Sequence, residues 1–464
     1  MMQKLFDEVG TLDTRCYDKF GLSEDILMEH AANGISKYIR DNFPRNSKVI
    51  IACGSGNNGA DGLACGRLLY GDYDVSIFYA KKPKSNMALL QQKRVESLNI
   101  PECTKIISCD VLVDAVLGTG FSGEFNQDIS SIMKDLNSLE AFKVACDVPS
   151  GLRQNGVCTE NTFVADVSLT MGALKKSMYL DMAKDFVGKI QVIDLGVSRE
   201  VYEKESSWNL LDLDDLRLPY RTLKNSHKGS YGHLALACGE KSGASVMSAK
   251  TALRFGSGLV TLIGYEDINI PNSIMYSHEL PKSTTALALG MGLGDEFSDL
   301  EIDRFLDNSY PMVIDADIFK NRKILDMLKR EKLVLTPHPK EFTSLLKILD
   351  IAHISVKELQ YDRFKYVEMF CTKYPNITLL LKGSNVIVGK DREFFINPHG
   401  TSVLAKGGSG DVLSGLIGSL LAQGYGCLES AINASLTHTR LAINYKGADF
   451  SLTPEDLIDG IGNL

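Results

Sequence analysis

The sequence lacks several features that would place it in other classes of protein. Its ten cysteines include no Cys-x-x-Cys pair and no cysteine–histidine cluster with zinc spacing. No apolar run approaches the roughly 20 residues needed to span a bilayer, and the amino terminus has no apolar signal core. Basic residues are outnumbered, and the net charge of −8 argues against nucleic acid or an anionic membrane as the main partner. We therefore expect a cytoplasmic protein with reduced thiols that binds neither nucleic acid nor a membrane.

The length and composition are typical of a globular chain with more than one domain. A chain of 464 residues, 44% hydrophobic and 23% charged, exceeds what one ordinary core covers. Short apolar runs alternate with helix-like segments in two series, which a charged and polar stretch from about 198 to 226 separates. That stretch contains the single Trp208, shows no evident strand and is interpreted as a linker. We predict two α/β domains, 1–208 and 209–464.

Each half of the chain predicts a mostly parallel sheet covered by helices. The apolar runs are nearly continuous, which is typical of strands buried on both faces. In the first half they cover 48–53, 75–80, 110–118, 142–149, 164–171 and 189–195. In the second half they cover 233–238, 259–263, 286–290, 312–315, 333–336 and 377–381, followed by a hairpin of 385–388 and 393–396. A helix over 22–41, with Ser23 as its N-cap, precedes the first strand.

The stretch from 401 to 415 is the one around which the chain is organised. Its sequence Gly407, Gly408, Ser409, Gly410 leads into a segment with helical spacing of apolar residues. Backbone N–H groups at a helix N-terminus lack intrahelical partners and the dipole there is positive, so this loop predicts an anion site. Asp411 follows directly, and it suits a base that takes a proton from a hydroxyl attacking a bound phosphoryl group. The alternative is a glycine-rich turn in which Asp411 only caps the helix.

A second glycine-rich loop follows the first predicted strand. The segment 54–62 contains G-x-G-x-x-G, the dinucleotide fingerprint. However, the segment 81–84 is Lys-Lys-Pro-Lys where the fingerprint requires an acidic ribose ligand, so a conventional NAD-dependent dehydrogenase is not expected. Asn57, Asn58 and Asp61 offer side-chain oxygens in this loop. They suit a ligand pocket or a monovalent cation better than a bare pyrophosphate turn.

Two further strand ends carry carboxylates followed by glycines. Asp114 precedes a loop that begins at Gly118, and Asp147 precedes Ser150. Ligands bind beyond the carboxyl ends of strands in open parallel sheets. Each aspartate alone could be a turn or cap residue, but together with the loop 54–62 they predict a single cleft.

These motifs resemble the NAD(P)HX epimerase family over roughly residues 1–200. The resemblance rests on the segments 28–32, 54–62, 114–120 and 147–151. It implies a Rossmann-like α/β/α sandwich that interconverts the R and S epimers of NADH and NADPH hydrated at the nicotinamide ring. The implied substrate-binding residues are Asn57, Asn58, Gly59, Ala60, Asp61, Gly118, Thr119, Gly120, Phe121, Ser122, Gly123, Glu124 and Asp147, and the implied potassium ligands are Asn58, Asp114 and Ser150.

Within this half we assign acid–base work to Asp147 and Asp114. The sequence departs from the family at Ala60 and Ala32, where the family usually has glycine. An alanine at position 60 would disturb the loop only if that residue needed a positive φ.

The second half resembles the ribokinase-like family, and within it the ADP-dependent NAD(P)HX dehydratases, from about residue 226 to the end. The resemblance rests on the segments 228–232, 290–294, 336–341, 382–383 and 407–411, with departures at Met291 and Lys340. It implies a ribokinase-like α/β domain. The implied contacts to the hydrated cofactor are Ala244, Gly294, His338 and Asp411, and those to the adenine nucleotide are Lys382, Gly383, Ser384, Asn385 and Val386, with Gly407, Gly408, Ser409 and Gly410 at the phosphates.

Together the two resemblances imply a bifunctional repair enzyme. The first domain would epimerise the hydrates, and the second would dehydrate the S form with ADP and Mg²⁺, releasing AMP and phosphate. A potassium ion is implied in the first domain, and we expect a homo-oligomer. The use of ADP rather than ATP rests on the resemblance alone.

Two other classes of function remain open. One is a kinase of a vitamin or sugar alcohol with an appended domain, which would leave a stable phosphate ester. The other is a first domain that only binds a ligand or partner.

Overall fold

A computed structural model describes residues 2–105, 108–264, 270–294 and 297–464. Its contacts divide the chain into two compact units, Gln3–Ser206 and Ser207–Leu464. The ten cysteines all lie within the described residues and form no disulfide, and eight are buried. Within the described ranges, no helix combines the length and apolar character needed to cross a bilayer.

Strands and helices alternate through the N-terminal unit. The strands are β1 (Gln3–Phe6), β2 (Lys48–Cys53), β3 (Asp74–Tyr79), β4 (Val111–Ala115), β5 (Phe142–Cys146), β6 (Val167–Met171), β7 (Leu174–Lys175) and β8 (Lys189–Ile193). The helices are α1 (Gly10–Phe20), α2 (Glu24–Asn42), α3 (Asn57–Leu69), α4 (Asn86–Ser97), α5 (Gln127–Ser138), α6 (Lys184–Val187) and α7 (Arg199–Tyr202).

Six of these strands form one parallel sheet in the order β3-β2-β4-β5-β6-β8. The prediction of all six strands is confirmed, although several end earlier than predicted. The predicted strand 142–149 ends at Cys146 because the next residue, Asp147, takes a φ of 72°. The short parallel pair β1 and β7 was not predicted.

The first long helix follows from its sequence. Ser23 accepts a hydrogen bond from the backbone N–H of Ile26, as expected of an N-cap, and the apolar stripe of α2 is buried. Ala60 lies inside α3, does not have a positive φ, and belongs to a small buried apolar cluster with Met28, Met87 and Ala88. The alanine at position 60 therefore leaves the loop geometry undisturbed.

The C-terminal unit is larger and has the same alternation. Its strands are β9 (Trp208–Leu210), β10 (His233–Ala237), β11 (Leu259–Ile263), β12 (Met275–Ser277), β13 (Ala286–Leu289), β14 (Met312–Ile314), β15 (Leu333–Leu335), β16 (Thr378–Leu381), β17 (Val386–Lys390) and β18 (Glu393–Asn397). Its helices are α8 (Ser242–Arg254), α9 (Asp299–Leu306), α10 (Ile324–Met327), α11 (Pro339–Ile348), α12 (Val356–Tyr361), α13 (Arg363–Lys373), α14 (Ser409–Ala422), α15 (Cys427–Asn444) and α16 (Pro454–Gly460).

The ten strands of this unit follow the order β12-β11-β10-β13-β14-β15-β16-β17-β18-β9. The pairs from β12 to β16 are parallel, and the predicted hairpin of β17 and β18 is confirmed as antiparallel. The carboxyl ends of the parallel strands therefore meet along one edge. The loops after β13, β14, β15 and β16 leave from that edge, and it is where the site lies.

The interpretation of 198–226 as a linker without a strand was wrong at its centre. Trp208 begins β9, which pairs in parallel with β18. The indole is buried, stacks on Phe394 and donates a hydrogen bond from Nε1 to Glu368 at 2.6 Å. A three-residue strand is too short to show a period in the sequence, and its partner β18 lies far away in the chain.

Candidate active sites

Two glycines fix the loop between β2 and α3 in the N-terminal unit. A Cβ added at Gly54 would lie 1.8 Å from the carbonyl oxygen of Val116, and one added at Gly59 would lie 2.1 Å from the carbonyl oxygen of Gly54. Only glycine permits this approach of two backbone segments. The loop is thereby held against the carboxyl end of β4, as the sequence pattern predicts.

Asp114 and Ser150 contact each other directly at this end of the sheet. The Ser150 hydroxyl donates to one carboxylate oxygen of Asp114 at 2.6 Å, and the Ser150 N–H donates to the other at 2.7 Å. The N–H of Val116 donates to Asp114 as well. Complete burial raises the pKa of Asp114 to about 6, although these hydrogen bonds oppose the rise.

The side-chain amide of Asn58 is buried without a hydrogen-bond partner among the described residues. Both its Oδ1 and its Nδ2 are buried, and neither has a hydrogen-bond partner among the described residues. A Cβ added at Gly118 would lie 3.3 Å from the side chain of Asn58, so the amide lies against the loop after β4. A buried amide without a partner is costly and points to an absent ligand. The amide, carboxylate and hydroxyl oxygens of these three residues are the hard donors that suit a potassium ion.

Asp147 lies in a strained conformation and forms a buried ion pair. Its φ of 72° is unusual for a residue with a side chain. Lys175 donates from Nζ to Asp147 at 2.6 Å and to the Thr170 hydroxyl at 2.7 Å, and the N–H of Met171 also donates to Asp147. Lys175 was not predicted, because nothing in its local sequence marks it as more than a surface lysine.

The remaining predicted residues of this site lie on two segments. Asn57 donates from its amide to Glu24 at 2.6 Å. Asp61, one helical turn further along α3, is half-buried, and its pKa is raised well above the ordinary value by burial and by nearby carboxylates. The second segment joins β4 to α5. Its Glu124 forms an ion pair with Arg153, which lies in the chain after β5. The segment contains Gly118, Thr119, Gly120, Phe121, Ser122, Gly123 and Glu124, all partly or fully exposed.

In the C-terminal unit, α14 begins at the predicted glycine-rich loop. Gly408 is its N-cap, with a φ of 89°, and no side chain caps the helix. Asp411 therefore lies in the first turn but does not cap it, and its carboxyl makes no hydrogen bond or ion pair within the described residues. The pKa of Asp411 is raised to about 6, chiefly by burial and also by Asp315 and Asp317, while Lys382 opposes the rise. A carboxyl with such a pKa can accept a proton near neutral pH.

An ion pair between Lys382 and Asp315 lies beside this loop. Lys382 donates from Nζ to one carboxylate oxygen of Asp315 at 2.6 Å, and the Ser414 hydroxyl donates to the other at 2.7 Å. A Cβ added at Gly410 would lie 3.2 Å from Nζ of Lys382. The ammonium and the helix N-terminus thus converge on one place, which suits an anionic group. Asp315 is the last residue of the predicted strand 312–315, but its pairing with Lys382 could not be foreseen from the sequence.

His438 contacts the glycine-rich loop through the side chain of Ser409. Its Nε2 and the hydroxyl of Ser409 lie 3.0 Å apart in the interior. Complete burial lowers the pKa of His438 to about 4, so the ring is neutral near pH 7. No motif marks this histidine in the sequence, because it lies in the interior of α15 between two threonines.

The loop after β13 joins the same site. A Cβ added at Gly290 would lie 1.8 Å from the carbonyl oxygen of Asp315, so this loop and the end of β14 are in close contact. The N–H of Gly294 donates to Asp317 at 3.1 Å. Ala244 at the start of α8 lies against Gly292, at 3.0 Å from the position of an added Cβ. The predicted residues Ala244 and Gly294 are therefore close to Asp315 and Asp317.

His338 has a structural role that the structure shows directly. Its Nδ1 accepts hydrogen bonds from the N–H groups of Lys340 and Glu341, which makes it the N-cap of α11. Its Nε2 lies 3.2 Å from Glu341, whose pKa burial raises to about 7. Burial, together with Lys382, lowers the pKa of His338. The exposed imidazole still faces solvent and is available to a ligand.

The predicted nucleotide segment Lys382, Gly383, Ser384, Asn385 and Val386 joins β16 to β17. The Lys382 N–H donates to Pro337, and the buried Arg363 donates from Nη2 to the carbonyl oxygen of Lys382 at 2.9 Å. Gly383 and Ser384 are partly or fully exposed, whereas Asn385 is buried. The backbone of Lys382 is thus held by hydrogen bonds, whereas Gly383 and Ser384 are exposed to solvent.

The described part of the chain contains no group of three histidine, cysteine, aspartate or glutamate side chains arranged to hold a metal ion.

Comparison with known proteins gives a consistent result. A family described as NAD(P)H-hydrate dehydratase matches residues 234–462, and one described as YjeF-related protein N-terminus matches residues 24–177. The bifunctional NAD(P)H-hydrate repair enzyme Nnr of Helicobacter pylori is 40% identical over 474 residues, which cover all of both chains. Its counterpart from Coxiella burnetii is 30% identical over 91% of this chain and 90% of that protein.

A solved structure is also similar to one half of the chain. It is the ADP/ATP-dependent NAD(P)H-hydrate dehydratase of Bacillus subtilis co-crystallised with ATP and Mg²⁺, which is 26% identical with a TM-score of 0.46. The match covers 53% of this chain and 92% of that one. The predicted α/β architecture of two units, each with a mostly parallel sheet, is confirmed. The full-length identity to the H. pylori protein shows that the chain belongs to the family of bifunctional NAD(P)H-hydrate repair enzymes.

Proposed function

We propose that this chain repairs hydrated NADH and NADPH in two steps, one in each unit. The N-terminal unit interconverts the R and S epimers, and the C-terminal unit dehydrates the S epimer with ADP, releasing AMP and phosphate. The observation that carries the proposal is the unpartnered carboxyl of Asp411 beside Lys382 and the N-terminus of α14. A proton acceptor and an anion site at one strand edge suit phosphoryl transfer to a hydroxyl.

In the C-terminal unit Asp411 is the base. It takes the proton from the hydroxyl on the nicotinamide ring, and the hydroxyl oxygen attacks the terminal phosphorus of ADP. The bond from that phosphorus to the bridging oxygen breaks, and AMP leaves. The phosphate ester then loses phosphate from the ring carbon and a proton from the neighbouring carbon, which restores the ring double bond.

The loop and the lysine stabilise the charge on the transferring group. The N–H groups of Gly407, Gly408, Ser409 and Gly410 and the dipole of α14 favour negative charge at this position. Lys382 is held next to Gly410 by Asp315, so its charge is already in place when the nucleotide binds. The hydrogen bond to His438 fixes the Ser409 side chain, which keeps the loop in the conformation that the anion needs.

Mg²⁺ bound with ADP would neutralise phosphate charge during the transfer. The segment from Lys382 to Val386 would bind the adenine nucleotide, and Ala244, Gly294 and His338 would contact the hydrated cofactor. These residues surround Asp315 and Asp317 at the carboxyl edge of the sheet.

In the N-terminal unit, Asp147 follows β5 directly, pairs with Lys175 and is itself one of the predicted substrate-binding residues. We propose that Asp147 acts on the substrate there. A potassium ion held by Asn58, Asp114 and Ser150 would fix the two loops, since its ligands come from the start of α3, from β4 and from the loop after β5.

The exchange Asp411→Asn tests the proposed base directly. Because a general base contributes roughly 10²–10⁴-fold, dehydration of the S epimer should fall by at least about 10²-fold. The variant should keep the wild-type melting temperature and should still epimerise the R form. The exchange Asp449→Asn, on an exposed carboxylate of the same unit, is the matched control. Dehydration by Asp411→Asn at the wild-type rate would refute the assignment.

A further inference from the structure

Asp61 is a carboxyl that the proposed binding site does not yet explain. It lies on α3, one helical turn after Asn57, and is half-buried. Within the described residues its side chain makes no hydrogen bond and no ion pair. The other buried carboxylates of the unit are engaged, since Asp114 bonds to Ser150 and Asp147 to Lys175. A partly exposed carboxyl with no protein partner is available to a ligand.

The surroundings of Asp61 are acidic. The charged and titratable groups that face it come from several elements. They are Asp13 and Tyr17 of α1, Glu24 of α2, Cys65 of α3, Cys146 of β5, and Asp147. The ammonium of Lys175 is bound to Asp147 and Thr170 and does not pair with Asp61. Burial and like charges therefore both raise the pKa of Asp61, and the protonated form is favoured.

The chemistry of the hydrated nicotinamide ring shows which step an acid would assist. The reduced nicotinamide ring contains a carbon–carbon double bond attached to the ring nitrogen, and hydration of such an enamine places the hydroxyl on the carbon next to that nitrogen. Inversion at this carbon can proceed by loss of the hydroxyl as the nitrogen lone pair forms a carbon–nitrogen double bond. The hydroxyl leaves as water only if it first receives a proton. Water then adds to the other face and returns a proton.

We propose that Asp61 is the general acid of the epimerase, and that it donates the proton to the leaving hydroxyl. The water that adds to the opposite face releases its proton to the solvent, from which Asp61 is protonated again. The bond from ring carbon to oxygen breaks and re-forms, and Asp61 regains its proton, so the reaction is a net inversion. The ion pair of Asp147 and Lys175 places a carboxylate near the positive charge that develops on the ring. Two neighbouring carboxyl groups in unlike environments, one paired and one not, are a recurring acid–base arrangement. The inference rests on the proposed epimerase function.

The test compares wild type with Asp61→Asn and Asp61→Glu in the full chain. The substrate is purified R epimer with excess ADP and Mg²⁺, and NADH recovery is followed by absorbance. Asp61→Asn should lower the epimerisation rate by about 10²-fold or more, and Asp61→Glu should restore part of it. Both variants should dehydrate the S epimer as wild type does, which serves as the folding control. If Asp61→Asn epimerises at the wild-type rate, Asp61 is not the acid.

Two further readouts separate a catalytic acid from a residue that only shapes the site. Wild-type epimerisation in water enriched in oxygen-18 should place one labelled oxygen on the ring for each inversion; inversion without label would overturn the step. The wild-type rate should also fall on the alkaline side as Asp61 ionises, and this limb should be absent in Asp61→Asn. If wild type itself does not epimerise, the proposed function fails instead, which the same assay shows separately.

Discussion

At the scale of single residues, Asp411 gives the most direct prediction of pH dependence. Its pKa is raised to about 6, and as a base it works only when ionised. The kcat/KM for dehydration should therefore fall as pH decreases below about 6, approaching tenfold per pH unit. The charge of Asp317 contributes to the raised pKa of Asp411, so Asp317→Asn should move the acidic limb of the kcat/KM profile to lower pH. A profile that stays flat to pH 5 would contradict the role of Asp411.

A second residue-scale prediction concerns Gly410. A Cβ at this position would lie 3.2 Å from Nζ of Lys382, which Asp315 holds in place. Gly410→Ala should push the ammonium aside and lower kcat/KM for ADP about tenfold, which corresponds to about 1.4 kcal/mol. Gly426→Ala is the matched control, because its added Cβ meets no atom within 4 Å. Equal kinetics for the two variants would show that Lys382 does not need its present position.

At the scale of elements, the start of α3 predicts an effect of potassium on stability. The buried amide of Asn58 has no partner, and a bound cation would supply one. Potassium chloride should raise the melting temperature above that in sodium chloride at equal ionic strength. An ion at about 100 times its Kd contributes about 2.7 kcal/mol. Asn58→Ala should abolish the difference, whereas Asn57→Ala should keep it, because that amide bonds to Glu24. An undiminished potassium effect in Asn58→Ala would exclude Asn58 as a ligand.

The packing of α14 on α8 predicts that a substitution at the contact between these helices lowers the stability of the protein. A Cβ added at Gly415 would lie 2.5 Å from the carbonyl oxygen of Ser248, a backbone atom that cannot easily move. Gly415→Ala should lower the free energy of unfolding by roughly 1–3 kcal/mol in urea. Gly243→Ala on α8 is the control, because its Cβ meets open space and alanine favours a helix. Equal unfolding midpoints would show that the two helices can separate without cost.

Much of the fold was predictable from the sequence because its buried strands are long enough to show a pattern. The strand Lys48–Cys53 and the hairpin of β17 and β18 were predicted nearly to the residue. The strands β1, β7, β9 and β12, of two to four residues, were not, because runs this short show no period and the fold sets their pairing. Periodicity within the chain carries no information about such pairings.

The sites were predictable where glycines and strand ends marked them. The loop of Gly54 and the loop of Gly408 lie where the sequence placed them, because glycine reports a backbone requirement directly. Lys175, Asp315 and His438 act through side-chain partners that only the fold brings near. Their roles depend on distances across strands and helices, which a single sequence does not contain.

At the scale of the whole molecule, two compact units occupy one chain, and each has its own core and its own site. Two reactions on successive forms of one metabolite suit this arrangement, because the epimerase supplies the S form that the dehydratase consumes. A chain with a defect in one unit should therefore retain the other activity. The Asp61→Asn variant should recover NADH from the S epimer only. The Asp411→Asn variant should recover NADH from neither epimer, although it should still interconvert the two epimers.

The most direct measurement mixes the purified full chain with both epimers of hydrated NADH, ADP and Mg²⁺, and follows absorbance at the reduced-nicotinamide band. Complete recovery of NADH from both epimers, with one AMP and one phosphate released for each NADH, is the predicted result. Recovery that stops when the S epimer is exhausted would contradict an active epimerase unit. Accumulation of a stable phosphate ester without NADH would contradict the dehydratase and make the C-terminal unit a kinase.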